Sequence, residues 1–273
     1  MDESLSHWLG LREQADFAAR SEPLTRALAD GMPAGEAVRV LDLATGTGSN
    51  IRYLMNRLPG RQRWLAVDRS PALLAELHDR MSSLDCEIET RQMDLGTLDD
   101  PGIFAGRHLV TASALLDLVS AEWLRALAEH CRAAGAAALF TITYNGRSSC
   151  APAEPEDDMV RDLMNRHQKT DKGLGGPALG PDAVSCAEQQ FAEAGYRVRR
   201  EPSDWTLGPE VAGLQRMLID GWAQAATEMA PDRSSAITRW RERRLAHVDA
   251  GRSRLVVGHD DLAAWPPRNG GQR

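Results

Sequence analysis

Lysine is nearly missing. The chain carries 32 basic residues in 273, and only Lys169 and Lys172 are lysines. With the abundance of alanine and glycine, this bias points to GC-rich coding DNA, as in many bacteria. Cysteine is sparse too: Cys86, Cys131, Cys150 and Cys186 form no C-x-x-C pair. That argues against a zinc site or a disulfide framework, so no metal is expected and the thiols read as small buried apolar groups. Long apolar runs are lacking, for nothing approaches the roughly 18 residues that a membrane span needs. The opening MDESLSHWLG is acidic and polar where a secretory signal is basic and then apolar, so a cytoplasmic protein is expected. An excess of positive charge is lacking as well. The net charge of -7 argues against bulk capture of nucleic acid, which needs clustered lysine and arginine to neutralise phosphates.

What is there fills one domain near the upper end of the usual size range, so residues 1–273 are expected to fold as a unit. Apolar residues between 5 and 30 recur at a helical period that Pro23 interrupts, which predicts two short helices and a helical cap over 1–34. VRVLDLA (38–44) is a compact apolar run bounded by turn residues, the mark of a strand buried on both faces. A glycine turn and the helical NIRYLMNRL follow. The alternation continues through RWLAVD, SPALLAELHDRMSS, CEIETRQMD, HLVTASALLD, SAEWLRALAEHCRAA and GAAALFTITYN. Such spacing predicts an α/β fold with a doubly wound, mostly parallel Rossmann-like sheet of seven strands, its ligand at the strands' carboxyl ends. After Asn145 the rhythm breaks. Residues 147–182 are rich in proline, acid and glycine around one helix, a lid-like pattern, and a helix-and-strand pair follows. Helical stretches then fill 209–250, SRLVVGHDDLAAW makes a last strand, and the tail PPRNGGQR is expected to be loose. Residues 36–146 thus read as a cofactor half and 147–273 as a substrate-side half.

The turn Ala44-Thr45-Gly46-Thr47-Gly48 decides which nucleotide suits the sheet. A dinucleotide fingerprint wants a third glycine, yet the slots hold Ile51 or, in the other register, Ala44 and Ser49. No Gly-Lys-Ser/Thr follows, which excludes a P-loop. The stretch from Asp42 to Gly48 instead resembles the first motif of the class I, Rossmann-like S-adenosylmethionine-dependent methyltransferases, with Ala44 in the first glycine slot. Alanine is small enough for the turn but removes some positive-φ conformations. The resemblance implies S-adenosylmethionine as cofactor. It assigns the donor site to Asp42, Ala44, Thr45, Gly46, Gly48 and Asn50 at the first strand tip and to Asp68, with Arg69, at the second, where a carboxylate accepts from both ribose hydroxyls. Met93, Asp94 and Leu95 at the third tip face the adenine, and Ser113 and Ala114 at the fourth close over the cofactor.

The remaining candidates lie around this frame. Arg12, Asp16 and Arg20 form one charged helical stripe, from which Arg20 is expected to meet the methionine carboxylate. Asp117 follows the fourth strand and Tyr144 and Asn145 the fifth, where a substrate would face the methyl group. SALLD lacks the proline-and-aromatic motif of many amino-methylating members, which argues against nucleic-acid bases or protein amides as acceptors. Arg166, Lys169 and Lys172 make the lid basic, with His167 as a candidate base, so an anionic or carboxylate-bearing small molecule is favoured. The expected activity is methyl transfer to an oxygen or nitrogen of a small molecule. The alternatives are an RNA or protein methyltransferase of the same fold and a protein that binds S-adenosylmethionine without turnover.

Overall fold

The structure, a computed structural model, describes residues 2–82, 84 and 86–267, so positions 268–273 of the expected loose tail lie outside the described residues. Two helices open the chain, α1 (Asp2–Ala19) and α2 (Glu22–Ala29). The break falls just before Pro23 because Ser21 caps α2: its hydroxyl accepts from the Leu24 N–H, and proline suits a first turn that needs no donor. Then come β1 (Val38–Leu43), α3 (Ser49–Leu54), β2 (Gln62–Asp68), α4 (Pro71–Met81), β3 (Glu87–Gln92), β4 (Leu109–Ser113) and α5 (Ala121–Ala134). Ser70 and Ser120 cap α4 and α5, accepting from the Leu73 and Trp123 N–H groups. Next are β5 (Ala137–Ala151), α6 (Asp157–Gln168), α7 (Ala183–Glu193), β6 (Arg197–Pro202), β7 (Trp205–Leu207), α8 (Ala212–Met229), α9 (Ser234–Asp249) and β8 (Arg254–Trp265).

The sheet runs β3-β2-β1-β4-β5-β8-β6. Its first five strands are parallel, and β8 lies antiparallel between β5 and β6. The order reverses between β1 and β4, which opens a crevice at their carboxyl ends. Eight strands replace the seven expected because the segment 196–208 divides at Ser203 and Asp204. There the His259 N–H donates to the Asp204 carboxylate and the His259 carbonyl accepts from Ser203 N–H, so β6 and β7 pair with separate stretches of β8.

The fifth strand is also longer than expected and runs through residues 147–151, the start of the lid-like segment. Beyond Thr141, its last pairing with β4, its strand partner among the described residues is β8 alone. This ribbon carries a core of its own, in which Ile142, Trp205, Leu214, Trp222 and Trp240 pack with α6, α8 and α9. Two further clusters fill the faces of the parallel sheet. Among the described residues no helix is long and apolar enough to cross a membrane.

Candidate active site

The site begins at the tip of β1, where Ala44, Gly46 and Gly48 have φ of 51°, 56° and 81°. Ala44 therefore tolerates the turn, as expected, and does so in a left-handed conformation that strains its Cβ. Strain of this kind costs about 1–2 kcal/mol for a residue with a Cβ, against about 0.4–1 kcal/mol for the extra unfolded-state entropy of glycine. Ala44→Gly is expected to raise the melting temperature by about 1–4 °C in scanning calorimetry. A lower melting temperature would show that the Ala44 methyl contributes packing that outweighs the strain. At Gly48 an added Cβ would come within 2.9 Å of Leu77, which fixes glycine there by space as well as by φ.

Asp42 is fully buried behind the turn, its Oδ2 accepting from Thr45 Oγ1 and its Oδ1 from Asn50 Nδ2, each at 2.6 Å. Asn50 Oδ1 accepts from Arg20 Nη1 at 2.6 Å, and Arg20 Nη2 donates to Ser113 Oγ at 3.0 Å. One polar chain thus joins the tips of β1 and β4 to the end of α1. At β2, Asp68 accepts from the Gly46 N–H through Oδ2 and from the Ser70 N–H through Oδ1, both at 2.9 Å. The second carboxylate therefore shapes the turn as well as facing the crevice.

Burial pushes Asp42 up to about 6, only partly offset by its hydrogen bonds and the Arg20 charge. Burial likewise raises Asp117 to about 6. Unfolded aspartate titrates near ~3.9, so between that value and about 6 the folded chain binds more protons than the unfolded one. Stability from these groups is therefore present at low pH and lost as pH rises through this window, levelling off above it. Melting temperatures measured from pH 4 to 7 are expected to fall less steeply in Asp42→Asn than in the parent. An identical slope would show that Asp42 titrates normally.

A cavity of 860 Å³ opens over these tips. Asp42, Ala44, Thr45, Gly46, Asn50, Asp68, Arg69, Leu95, Ser113 and Ala114 line one part, and His167, Lys172, Met164, Leu218 and Trp222 line another. Helix α1 supplies Trp8, Leu9, Arg12 and Asp16. Other sequence candidates lie elsewhere. Arg20 is buried beneath Asn50, and of the two arginines in the stripe Arg12 reaches the cavity, held by Asp16 and stacked over Trp205. Gly48 packs behind the turn, Met93 packs against the core, and Asp94 is exposed and accepts from the Gly96 N–H.

The substrate-side candidates are scattered. Asp117 is buried behind Leu115 and Leu118, which are the lining residues there. Tyr144 donates to Asn165 and Asn145 to Asp260, so neither reaches the cavity. The cause is a bulge in β5: Ile142 has φ of 55° and the register with β8 shifts between Phe140 and Thr143. Arg166 is exposed and Lys169 pairs with Asp182 at 2.7 Å, which leaves Lys172 as the lid cation at the cavity. His167 Nε2 lies 3.0 Å from Glu228 Oε2, a partner from α8 that sequence reading missed.

Residues 40–135, which hold the glycine turn and the tips of β1, β2 and β4, match the family model of a methyltransferase domain. The match identifies this stretch as a methyltransferase domain. Solved structures share this domain's fold. A protein of Galdieria sulphuraria described as a sarcosine dimethylglycine methyltransferase aligns over 97% of this chain and 98% of its own at 12% identity, with a TM-score of 0.51. The YcgJ protein of Bacillus subtilis aligns over 90% and 99% at 13% identity, with a TM-score of 0.50. Phosphoethanolamine N-methyltransferase 2 of Haemonchus contortus, solved with S-adenosyl-L-methionine, aligns over 98% of this chain but only 58% of its own, at 12% identity and a TM-score of 0.49. No curated protein matches the sequence.

Proposed function

We propose that the cavity transfers a methyl group from S-adenosylmethionine to an oxygen or nitrogen of a small molecule, with an anionic acceptor favoured. The observation that carries this reading is continuity: one cavity of 860 Å³ joins the tips of β1, β2 and β4 to a largely apolar chamber beside α6 and α8. That volume is in the range of small-molecule sites and suits donor and acceptor together. In this reading residues 1–34 cap the donor, 36–146 hold it and 147–273 build the acceptor side, in a cytoplasmic enzyme.

The residues fit the cofactor. Gly46 presents bare backbone, and an added Cβ there would meet Leu9 of α1 at 3.2 Å, leaving the turn and its cap in close approach. Buried beside it, Thr47 Oγ1 and Ser49 Oγ have no hydrogen-bond partner among the described residues. Asp42 faces an ammonium group from within its network, Asp68 meets the ribose hydroxyls, and Leu73, Leu95 and Leu115 offer apolar surface to a ring. Arg12, rather than Arg20, is placed to meet the carboxylate.

When bound, S-adenosylmethionine supplies a methyl on a positively charged sulfur that leaves as a neutral thioether. The chain's own part is to hold the acceptor atom in line and to exclude water, which together supply several powers of ten in rate. His167, its ring positioned by Glu228, accepts the proton that an alcohol or ammonium acceptor releases. The test is incubation of the enzyme and labelled S-adenosylmethionine with a cell extract, followed by size fractionation and mass analysis. Label in the low-mass fraction is expected. Label in RNA or protein would overturn the small-molecule reading, and no transfer would leave a binding protein without turnover.

A further inference from the structure

We infer that the acceptor is an apolar organic acid, its hydrocarbon body seated among Met164, Leu118, Leu174, Leu218 and Trp222 and its anionic group anchored by Lys172. This rests on reading the cavity as the methyl-transfer site and narrows it to a class of substrate. The chamber walls come from α6, α8 and the loops after β4 and α6, and they are almost wholly aliphatic or aromatic. A polar metabolite would lose its water there without replacement hydrogen bonds, at a cost that an apolar body avoids.

Lys172 is the exception. Its Nζ donates to the His167 carbonyl at 3.1 Å and to Thr170 Oγ1 at 2.9 Å, both neutral, and it makes no ion pair among the described residues. The other lysine, Lys169, is neutralised by Asp182, and Arg12, held by Asp16, is assigned above to the donor's carboxylate. Two carboxylates lie near Lys172 without bonding to it: Glu228 is engaged by His167 and Gln224, and Asp117 is buried, which favours its neutral form. Half-buried at the wall of an apolar chamber, an ammonium with only neutral acceptors is matched by an anion on the ligand.

The test uses the full chain saturated with S-adenosylhomocysteine, whose binding is titrated first. Octanoate, octanamide, cinnamate, cinnamamide and acetate are then measured by calorimetry. Each long acid is expected to bind at least tenfold more tightly than its amide and than acetate. Lys172→Met is expected to abolish that preference, and Lys172→Arg to retain most of it, with S-adenosylhomocysteine affinity unchanged in both. Equal binding of acid and amide, a preference that survives in Lys172→Met, acetate binding as well as octanoate, or no binding by any probe overturns the inference while leaving the methyltransferase reading intact. Failure to bind S-adenosylhomocysteine overturns both.

Discussion

Asp68→Ala is expected to bind S-adenosylhomocysteine at least about 100-fold more weakly than the parent protein, because two hydrogen bonds to a charged acceptor contribute about 1.5–3 kcal/mol each. Asp68 stands at the tip of β2, nearly buried, and each of its oxygens accepts one backbone N–H, from Gly46 or Ser70. A carboxylate accepts about four hydrogen bonds, so a pair of ribose hydroxyls completes the set. The variant also strips the Gly46 N–H of its acceptor and loosens the turn over which the donor lies. Asp68→Asn, which keeps the shape but replaces one acceptor by a donor, is expected to fall between the two. Isothermal titration decides the matter, with melting temperature as the control for folding. Unchanged affinity in a folded Asp68→Ala protein would remove the ribose from the β2 tip.

Arg244→Met is expected to cost about 3–5 kcal/mol of stability, the range for removing one partner of a buried ion pair. Arg244 has no exposed surface; it donates to Asp157 Oδ1 at 3.0 Å and to the Pro152 carbonyl at 2.6 Å, and pairs with Asp157 Oδ2 as well. Trp240 Nε1 donates to the same carboxylate at 2.8 Å, so Asp157, in the first turn of α6, is tied to α9 by two side chains. Without the guanidinium the half-buried carboxylate keeps two neutral donors, the Trp240 indole and the Glu154 N–H, and loses its charged partner. Scanning calorimetry is expected to show a drop on the order of 10 °C, and the double variant Arg244→Met/Asp157→Asn to recover part of it. A drop under 2 °C would show that water replaces the arginine. S-adenosylhomocysteine affinity should hold, since the pair lies on the acceptor side.

The parallel half of the sheet was legible in the sequence because its signals are local. A buried strand, a glycine turn and an acid at the next strand end are each written within a few residues, and the fold sets them side by side. Long-range placement was not legible. Arg12 and Arg20 share one stripe, and only the path of α1 across the sheet decides that Arg12 enters the cavity while Arg20 sinks beneath Asn50. Tyr144 and Asn145 were placed at the end of the fifth strand, but β5 runs on to Ala151 and the bulge at Ile142 shifts its register. The chamber residues Met164, Leu218 and Trp222 sit on helices at ordinary apolar spacing, which looks the same whether a helix faces a core or a ligand. Glu228 lies 61 residues from His167, beyond any local pattern.

The long β5–β8 ribbon gives the molecule two storeys with separate foundations. The lower one, built on the parallel strands, must keep its glycines and carboxylates wherever the same donor is used. The upper one stands on its own packed helices, so its walls can be resculpted for other guests without disturbing the floor below. Repertoire and constancy are thereby housed in different parts of one chain.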